Sequence, residues 1–257
     1  MRSARPISCW MIIFLAVSLL GCAASRGKRS GEVTPGEVQA RIELAESYLA
    51  NKDYRNSLKE LLEIREQSEK NPRYLYDLGI TYVGLREFER AAQVLQRAVE
   101  LEPDFGPAWN LLGQAHIAQG NVEQAINAFE RSMGIMTYLT PEYPAYNLAK
   151  LYQSRGEQDK AIAHARMALD KNWRYTPAYL LLADLLLEQG RTGEAIDVLT
   201  RGAEANPKST EIILRLAENQ LRQGNTAEAR NWFQHIIILD PESEAAQVAE
   251  DYLDLMR

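Results

Sequence analysis

Residues 106–139 read GPAWNLLGQAHIAQGNVEQAINAFERSMGIMTYL, and this 34-residue pattern occurs in six consecutive units. The units span 38–71, 72–105, 106–139, 142–175, 176–209 and 210–243, and only Thr140 and Pro141 interrupt the register. A constant period of this length indicates a solenoid of stacked supersecondary units. We therefore predict an all-α stack of six helix-turn-helix hairpins between residues 38 and 243.

Two positions in the unit never carry a large side chain. Position 8 is occupied by Ala45, Gly79, Gly113, Ala149, Ala183 and Ala217, and position 20 by Ser57, Ala91, Ala125, Ala161, Ala195 and Ala229. Two helices approach closely only where both side chains are short. These positions therefore predict the crossing point of the two helices in each hairpin.

The ends of the helices are also predicted by the repeat. Gly and polar residues recur in the turn within each unit, as in AQGNVE at 118–123, and end one helix before the next begins. Pro103, Pro207 and Pro241 lie at position 32, where proline stops the second helix because it lacks a backbone N–H. Residues 244–257 place apolar residues on one stripe and are predicted to form a helix that caps the stack.

The repeat resembles the tetratricopeptide consensus, and the resemblance covers 206 of 257 residues. It implies a right-handed superhelix whose inner surface, lined mainly by the first helix of each unit, binds protein segments. Some positions depart from the consensus, such as Arg41 at position 4 of the first unit and Trp173 in place of a position-32 proline. These departures affect the edges of individual repeats.

The N-terminus resembles a bacterial lipoprotein signal. Arg2 and Arg5 precede an apolar run over 10–20, which ends in Leu19-Leu20-Gly21-Cys22. About eleven apolar residues are too few for the roughly 20 that span a bilayer. The resemblance implies removal of residues 1–21, palmitate-type acylation of Cys22, and a lipid-anchored domain on the periplasmic face of the outer membrane. Residues 22–37 then form a flexible linker.

Composition narrows the class of partner and of chemistry. Removal of the signal leaves 27 basic and 35 acidic residues, a net charge of −8, and no basic stripe, which argues against nucleic acid. His116, His164 and His235 are far apart and belong to no metal-binding motif, so we predict no metal and no cofactor. Phosphate-binding loops and nucleophile motifs are missing too. We predict a binding protein, with no evident small-molecule substrate, rather than an enzyme.

The partner-binding groove is predicted from the inward positions of the first helices. A peptide groove of this kind gains contact area and hydrogen bonds from tyrosines. The C-terminal end of the groove is expected to be acidic, through Asp184 and Glu188. The predicted groove residues are Tyr76, Ile80, Val83, Asn110, Gln114, Tyr143, Tyr146 and Lys150.

A lipobox, about six repeats and a Tyr- and Pro-containing break at 136–162 together resemble the type IV pilus biogenesis lipoproteins, the secretin pilotins. This resemblance implies binding of secretin subunits and support of their ring assembly at the outer membrane. A periplasmic scaffold for peptidoglycan synthesis or outer-membrane protein assembly would use the same anchor and groove. The sequence leaves both partners open, along with the oligomeric state and the orientation of the groove to the membrane.

Overall fold

A computed structural model describes residues 34–256. This part of the chain contains helices and connecting turns and is all-α, as the sequence predicts. The lipobox, Cys22 and most of the predicted linker lie outside the described residues. The predicted end of the linker at residue 37 is wrong, because Thr34 and Glu37 form a capping box and the first helix already begins at Pro35. The helices are α1 (Pro35–Ala50), α2 (Tyr54–Glu63), α3 (Arg65–Ser68), α4 (Pro72–Gly84), α5 (Phe88–Leu101), α6 (Gly106–Ala118), α7 (Val122–Gly134), α8 (Glu142–Ser154), α9 (Gln158–Lys171), α10 (Thr176–Glu188), α11 (Thr192–Ala205), α12 (Thr210–Arg222), α13 (Thr226–Leu239) and α14 (Glu244–Leu255).

The helices pair as antiparallel hairpins that stack in chain order. Each unit contributes one hairpin, α1 with α2, α4 with α5, and so on to α12 with α13, and α14 packs on α13 at the end. The first helices of successive hairpins also contact one another, from α4 with α6 to α10 with α12. They do so more than the second helices, which places them on the inner side of the stack.

The small residues at positions 8 and 20 lie where the two helices of a hairpin cross, and all twelve are buried. A Cβ atom added to Gly113 would lie 2.6 Å from a ring carbon of Phe129, and one added to Gly79 would lie 2.5 Å from Leu95. Both distances are shorter than any ordinary carbon contact. The small side chains therefore set the close approach of the helices.

Position 15, in the turn within each hairpin, has a left-handed backbone in all six units. Gly120, Gly156, Gly190 and Gly224 have φ between 72° and 83°, as suits a residue without Cβ. The first two units reach the same conformation with Lys52 (φ 58°) and Arg86 (φ 62°). A non-glycine residue is strained in this region, so these two turns are formed at an energetic cost.

The second helix of the first unit departs from the regular pattern, because it divides into α2 and α3 at Ile64. The hydroxyl of Tyr74 donates to the carbonyl oxygen of Leu61 at 3.1 Å, and both residues are buried. In an unbroken helix that carbonyl would accept the N–H four residues later. A side chain inserted into the backbone ladder is a recognised cause of such a kink.

The linker between α7 and α8 is longer than the others. It spans residues 135–141, whereas four residues connect α5 to α6, α9 to α10 and α11 to α12. The Thr140-Pro141 insertion accounts for much of this extra length. The longer linker lets Tyr138 fold back over α6, where a Cβ on Gly106 would lie 2.6 Å from its ring.

The core divides into two large clusters that meet around α7. One contains buried residues from Ile42 to Ala128, and the other contains those from Ala125 to Ala249. Phe129 is fully buried in the second cluster, yet its ring lies against Gly113 of α6. The packing of this ring therefore joins the two halves of the stack.

Candidate partner-binding surface

The first helices α4, α6, α8 and α10 form the inner surface of the stack. The second helix of each hairpin lies on the opposite, outer side. The predicted groove residues occupy these helices and differ in exposure. Tyr143, Gln114 and Lys150 are exposed, whereas Tyr76, Ile80, Val83 and Tyr146 are half-buried. A partner can therefore reach the central part of the surface around α8.

Asn110 does not offer a free amide on this surface. Its side chain is buried, and its Oδ1 accepts a hydrogen bond from Nδ2 of Asn147 at 3.0 Å. The bond joins α6 to α8 directly across the boundary where the repeat register breaks. Asn110 therefore holds two first helices in place, beneath the side chains that a partner would contact.

Six aromatic side chains follow one another along the inner surface at the starts of the first helices, and we call them the aromatic row. The row comprises Tyr76, Phe105, Tyr138, Tyr143, Tyr146 and Tyr175. Three of them, Phe105, Tyr138 and Tyr175, come from the linkers and were not predicted from the first helices. A sequence signal exists for two of these three residues, since Phe105 and Tyr175 both occupy position 34 of their units.

Ring contacts connect neighbours within the row. The ring centroids of Tyr76 and Phe105 are 5.1 Å apart in a tilted pair. Tyr175 packs edge-on against two tyrosines, with centroid distances of 5.4 Å to Tyr143 and 5.5 Å to Tyr146. Aromatic pairs at these distances stabilise one another beyond simple burial, so the rings are held in place before any partner arrives.

Four tyrosine hydroxyls of the row, those of Tyr76, Tyr138, Tyr146 and Tyr175, keep their protons at neutral pH. Burial raises the pKa of Tyr76, Tyr138 and Tyr146 above the ordinary value. Burial also raises the pKa of Tyr175, and the neighbouring Tyr146 and Tyr143 raise it further. These groups therefore act as neutral hydrogen-bond donors, which suits the carbonyl and carboxylate oxygens of a protein segment.

Lys150 adds a positive charge next to the row. Its Nζ lies 5.7 Å from the ring centroid of Tyr146, within the range of a cation–π interaction. The ammonium group remains exposed and can also meet an acidic group on a partner. The centre of the surface thus combines apolar rings, neutral donors and one cation.

The C-terminal end of the surface is less acidic than its sequence suggests, because one of its two acidic side chains, Asp184, is paired with a cation. Asp184 lies 3.5 Å from the guanidinium of Arg215, and Glu188 accepts hydrogen bonds from Gln153 (3.1 Å) and Gln158 (3.3 Å). Burial raises the pKa of Asp184, and Arg215 opposes this effect. The distinctive chemistry of the inner surface therefore lies in the aromatic row.

His116 and His164 lie in partly buried positions within the helix packing. Burial lowers the pKa of His116 and of His164, and the His164 ring stacks on Tyr152 with centroids 5.2 Å apart. Residues 34–256 contain no group of three or more His, Cys, Asp or Glu side chains that could hold a metal ion. Within the same residues, no helix is both long and apolar enough to cross a bilayer.

Known structures share this architecture. PilW, a type IV pilus biogenesis factor, superposes with a TM-score of 0.65 and 19% identity over 84% of this chain and 99% of its own. PilF of Pseudomonas aeruginosa gives a TM-score of 0.65 with 16% identity, over 84% of this chain and 97% of its own. MamA gives a TM-score of 0.56 with 22% identity, over 66% of this chain and 92% of its own. At such identities the likeness demonstrates the fold.

Sequence relatives match shorter segments. The TPR repeat-containing protein PA0015 of Pseudomonas aeruginosa is 40% identical over 58 residues, which are 23% of this chain and 55% of that protein. Superkiller complex protein 3 of Mus musculus is 25% identical over 128 residues, 46% of this chain but 8% of its own length. The chain thus spans about half or less of these curated relatives.

Two family models, both described as tetratricopeptide repeat, match the chain. One matches residues 152–209 and 186–250, and the other matches residues 76–133. Together these segments include more than half of the chain and all or part of five of the six predicted units. The matches and the hairpin stack confirm the resemblance noted from the sequence. The chain belongs to the tetratricopeptide repeat family.

Proposed function

We propose that this protein is an outer-membrane lipoprotein that binds a secretin subunit on its inner surface and assists secretin assembly in type IV pilus biogenesis. The observation that carries the binding role is the aromatic row, a pre-ordered set of rings and protonated hydroxyls on the inner side of a protein-interaction scaffold. Tetratricopeptide repeats bind protein partners, and this row gives the chain a specific place to do so.

The pilus role is supported by the extent of the likeness to PilW and PilF. Both align over nearly their whole length and over 84% of this chain. A shared fold does not by itself establish a shared function. The lipobox at Leu19–Cys22 adds a second, independent sign, because a pilotin must be held at the membrane where the secretin assembles.

The binding surface is tested by Tyr143→Ala combined with Tyr146→Ala. This variant removes two rings that pack on Tyr175, so we expect capture of the purified periplasmic part of the secretin to weaken about tenfold or more. Tyr143→Phe with Tyr146→Phe keeps the rings and separates their contribution from that of the hydroxyls. Ile238→Ala on the second helix α13 is a control, since Ile238 is exposed away from the inner surface.

The cellular role is tested in a strain that lacks the gene. We expect the heat-stable secretin multimer in its membranes to disappear and to return when the intact protein is supplied. A multimer that persists without the protein would contradict the pilus role and favour another envelope client, such as peptidoglycan synthases or the outer-membrane assembly machinery. Co-purification would then identify the client.

The lipid anchor is tested by Cys22→Ser. Acyl chains contribute on the order of 0.8 kcal/mol per buried CH₂, so several chains hold a soluble domain firmly at a bilayer. We expect the variant to leave the membrane fraction after cell fractionation. If it remains with the outer membrane, the anchor lies elsewhere in the chain.

A further inference from the structure

One edge of the stack, where each second helix passes into the next unit, exposes large apolar side chains. Met136 is 99% exposed, Leu139 is 93% exposed and Trp173 is 60% exposed, and we call these three residues the apolar edge. Single exposed apolar residues are ordinary, but adjacent large ones mark interaction sites. The apolar edge lies outside the aromatic row and has no part in the proposed secretin site.

The backbone that carries the apolar edge is held in place. Nδ2 of Asn172 donates to the buried carboxylate of Glu142 at 2.9 Å, which ties the α9–α10 linker to the start of α8. The hydroxyl of Tyr179 donates to the carbonyl oxygen of Trp173 at 2.9 Å. The linker at 172–175 is therefore tied to the start of α8, which directly follows the linker at 135–141, and Met136, Leu139 and Trp173 expose their side chains from these two linkers.

Charges are arranged in order along this edge. Glu102 and Asp104 lie in the linker before α6, the linker at 135–141 carries no charge, and Lys171 and Arg174 flank Trp173. All four charged side chains are exposed, and none forms an ion pair with another residue between 34 and 256. Glu130 and Arg131 line one cavity with Asp104 and Met136 and offset each other, so the first end remains negative. Asp170 reduces the positive excess at the second end, which remains positive.

This order is self-complementary. A two-fold axis through the uncharged middle linker would place the acidic end of one molecule against the basic end of another. The same operation would bring Met136 and Leu139 of both molecules together at the centre. Isologous dimers require such a patch, which pairs with its own copy, and they are the commonest oligomers.

We propose that the apolar edge is a dimer interface, formed with a second copy of this chain around a two-fold axis. Met136 and Leu139 make its apolar centre, Trp173 lies beside them at the basic end, and Glu102 and Asp104 pair across the axis with Lys171 and Arg174. An anionic lipid surface fits less well, because the acidic end would be repelled from it. The dimer leaves the aromatic row of each copy available.

The test is sedimentation velocity of Ala23–Arg257, which contains every helix and every buried core residue of residues 34–256. We expect a concentration-dependent dimer over about 1 to 100 µM. Lys171→Glu with Arg174→Glu should raise the dimer dissociation constant about tenfold or more. Adding Glu102→Lys and Asp104→Lys in the same chain should return the dimer dissociation constant to within about threefold of the parent value, because the ion pairs form again with reversed signs.

Two further variants test the apolar edge. Met136→Ser, Leu139→Ser and Trp173→Ser together should weaken the dimer about 100-fold or more. Ile238→Ser removes an equally exposed apolar residue on α13 and should leave the dimer unchanged. Circular dichroism checks that each variant is folded.

Three results would overturn the proposal. A monomer at every concentration would do so, as would a dimer that the charge reversal leaves intact. The third is a monomer that binds vesicles of phosphatidylglycerol and phosphatidylethanolamine with a shift in tryptophan fluorescence that Trp173→Ser abolishes. That result would assign the apolar edge to the membrane.

Discussion

The first two repeats and the last two form the same hairpin with different residue types in the turn and in the core. At position 15 the first two use Lys52 and Arg86 in a left-handed conformation, where the last two use Gly190 and Gly224. Glycine adopts this conformation without strain, whereas in a residue with a Cβ atom the conformation raises the free energy of the folded state. The turns at the N-terminal end therefore contribute less to stability.

The interiors of the two regions differ as well. In the N-terminal repeats, Ser57 and Thr81 share a buried hydrogen bond at 3.0 Å, and Asp77 is buried with one carboxylate oxygen that has no hydrogen-bond partner within the described residues. In the last two repeats the first helices bury mainly apolar side chains, such as Leu182, Leu186 and Leu216, although Oδ1 of the buried Asn219 also lacks a hydrogen-bond partner within the described residues. These two helices bury no carboxylate like that of Asp77.

The difference teaches that a common architecture does not imply uniform stability. A solenoid is stabilised by each unit and by its contacts with its neighbours, so units can differ in how easily they open. We expect repeats one and two to exchange their backbone amide hydrogens faster than repeats five and six. Hydrogen exchange measured by mass spectrometry would show this gradient directly.

The largest expected effect comes from breaking the junction between the two halves. Phe129→Ala removes the fully buried ring that packs against Gly113, and we expect a loss of about 3 to 5 kcal/mol of unfolding free energy. Denaturant titration should then show the N-terminal half unfolding before the C-terminal half. Phe88→Ala, at a half-buried site, is the matched control and should cost less. A single unchanged transition in Phe129→Ala would contradict the role of this ring as the junction.

The next effect concerns Asp77, whose charged form is disfavoured in the folded state. Burial raises the pKa of Asp77 to about 6, although Arg73 at 3.4 Å opposes the shift. Because the folded pKa exceeds the unfolded one, the stabilising contribution is complete below about pH 4 and is lost as the pH rises through 6. At neutral pH the carboxylate then costs about 3 kcal/mol.

Asp77→Asn should therefore stabilise the protein by about 1 to 3 kcal/mol at pH 7.5, and the gain should vanish near pH 4. Thermal unfolding at the two pH values measures the difference between variant and parent. Glu46→Gln removes the half-buried carboxylate that also contacts Arg73, and it should change stability by less than about 0.5 kcal/mol. Destabilisation of Asp77→Asn by equal amounts at both pH values would show that the ion pair with Arg73 outweighs burial.

The smallest effect concerns the turns. Arg86→Gly should stabilise the N-terminal half by about 1 kcal/mol, because glycine relieves the left-handed strain. Gly190→Ala should destabilise the C-terminal half by a similar amount for the opposite reason. Equal melting temperatures for both variants and the parent would show that the turns do not contribute to the difference in stability between the two regions.

The sequence by itself determined the architecture of this protein. A 34-residue period, small residues at positions 8 and 20, and glycines and prolines at fixed places predict where hairpins cross, turn and end. These features are local, since a size limit or a left-handed backbone selects the residue type at its own position. The interruption of the repeat at Thr140 and Pro141 could also be located from the sequence, because it shifts the register of these local features by two residues.

The tertiary structure decided which of these residues face a partner. Periodicity places Tyr143 and Tyr146 on the inner face, but Tyr175 joins them from a linker that lies 29 residues later in the sequence than Tyr146. The burial of Asn110, the pairing of Asp184 with Arg215 and the kink at Ile64 likewise depend on neighbouring units. Such contacts join residues far apart in sequence, and only the packing of one hairpin on the next brings them together.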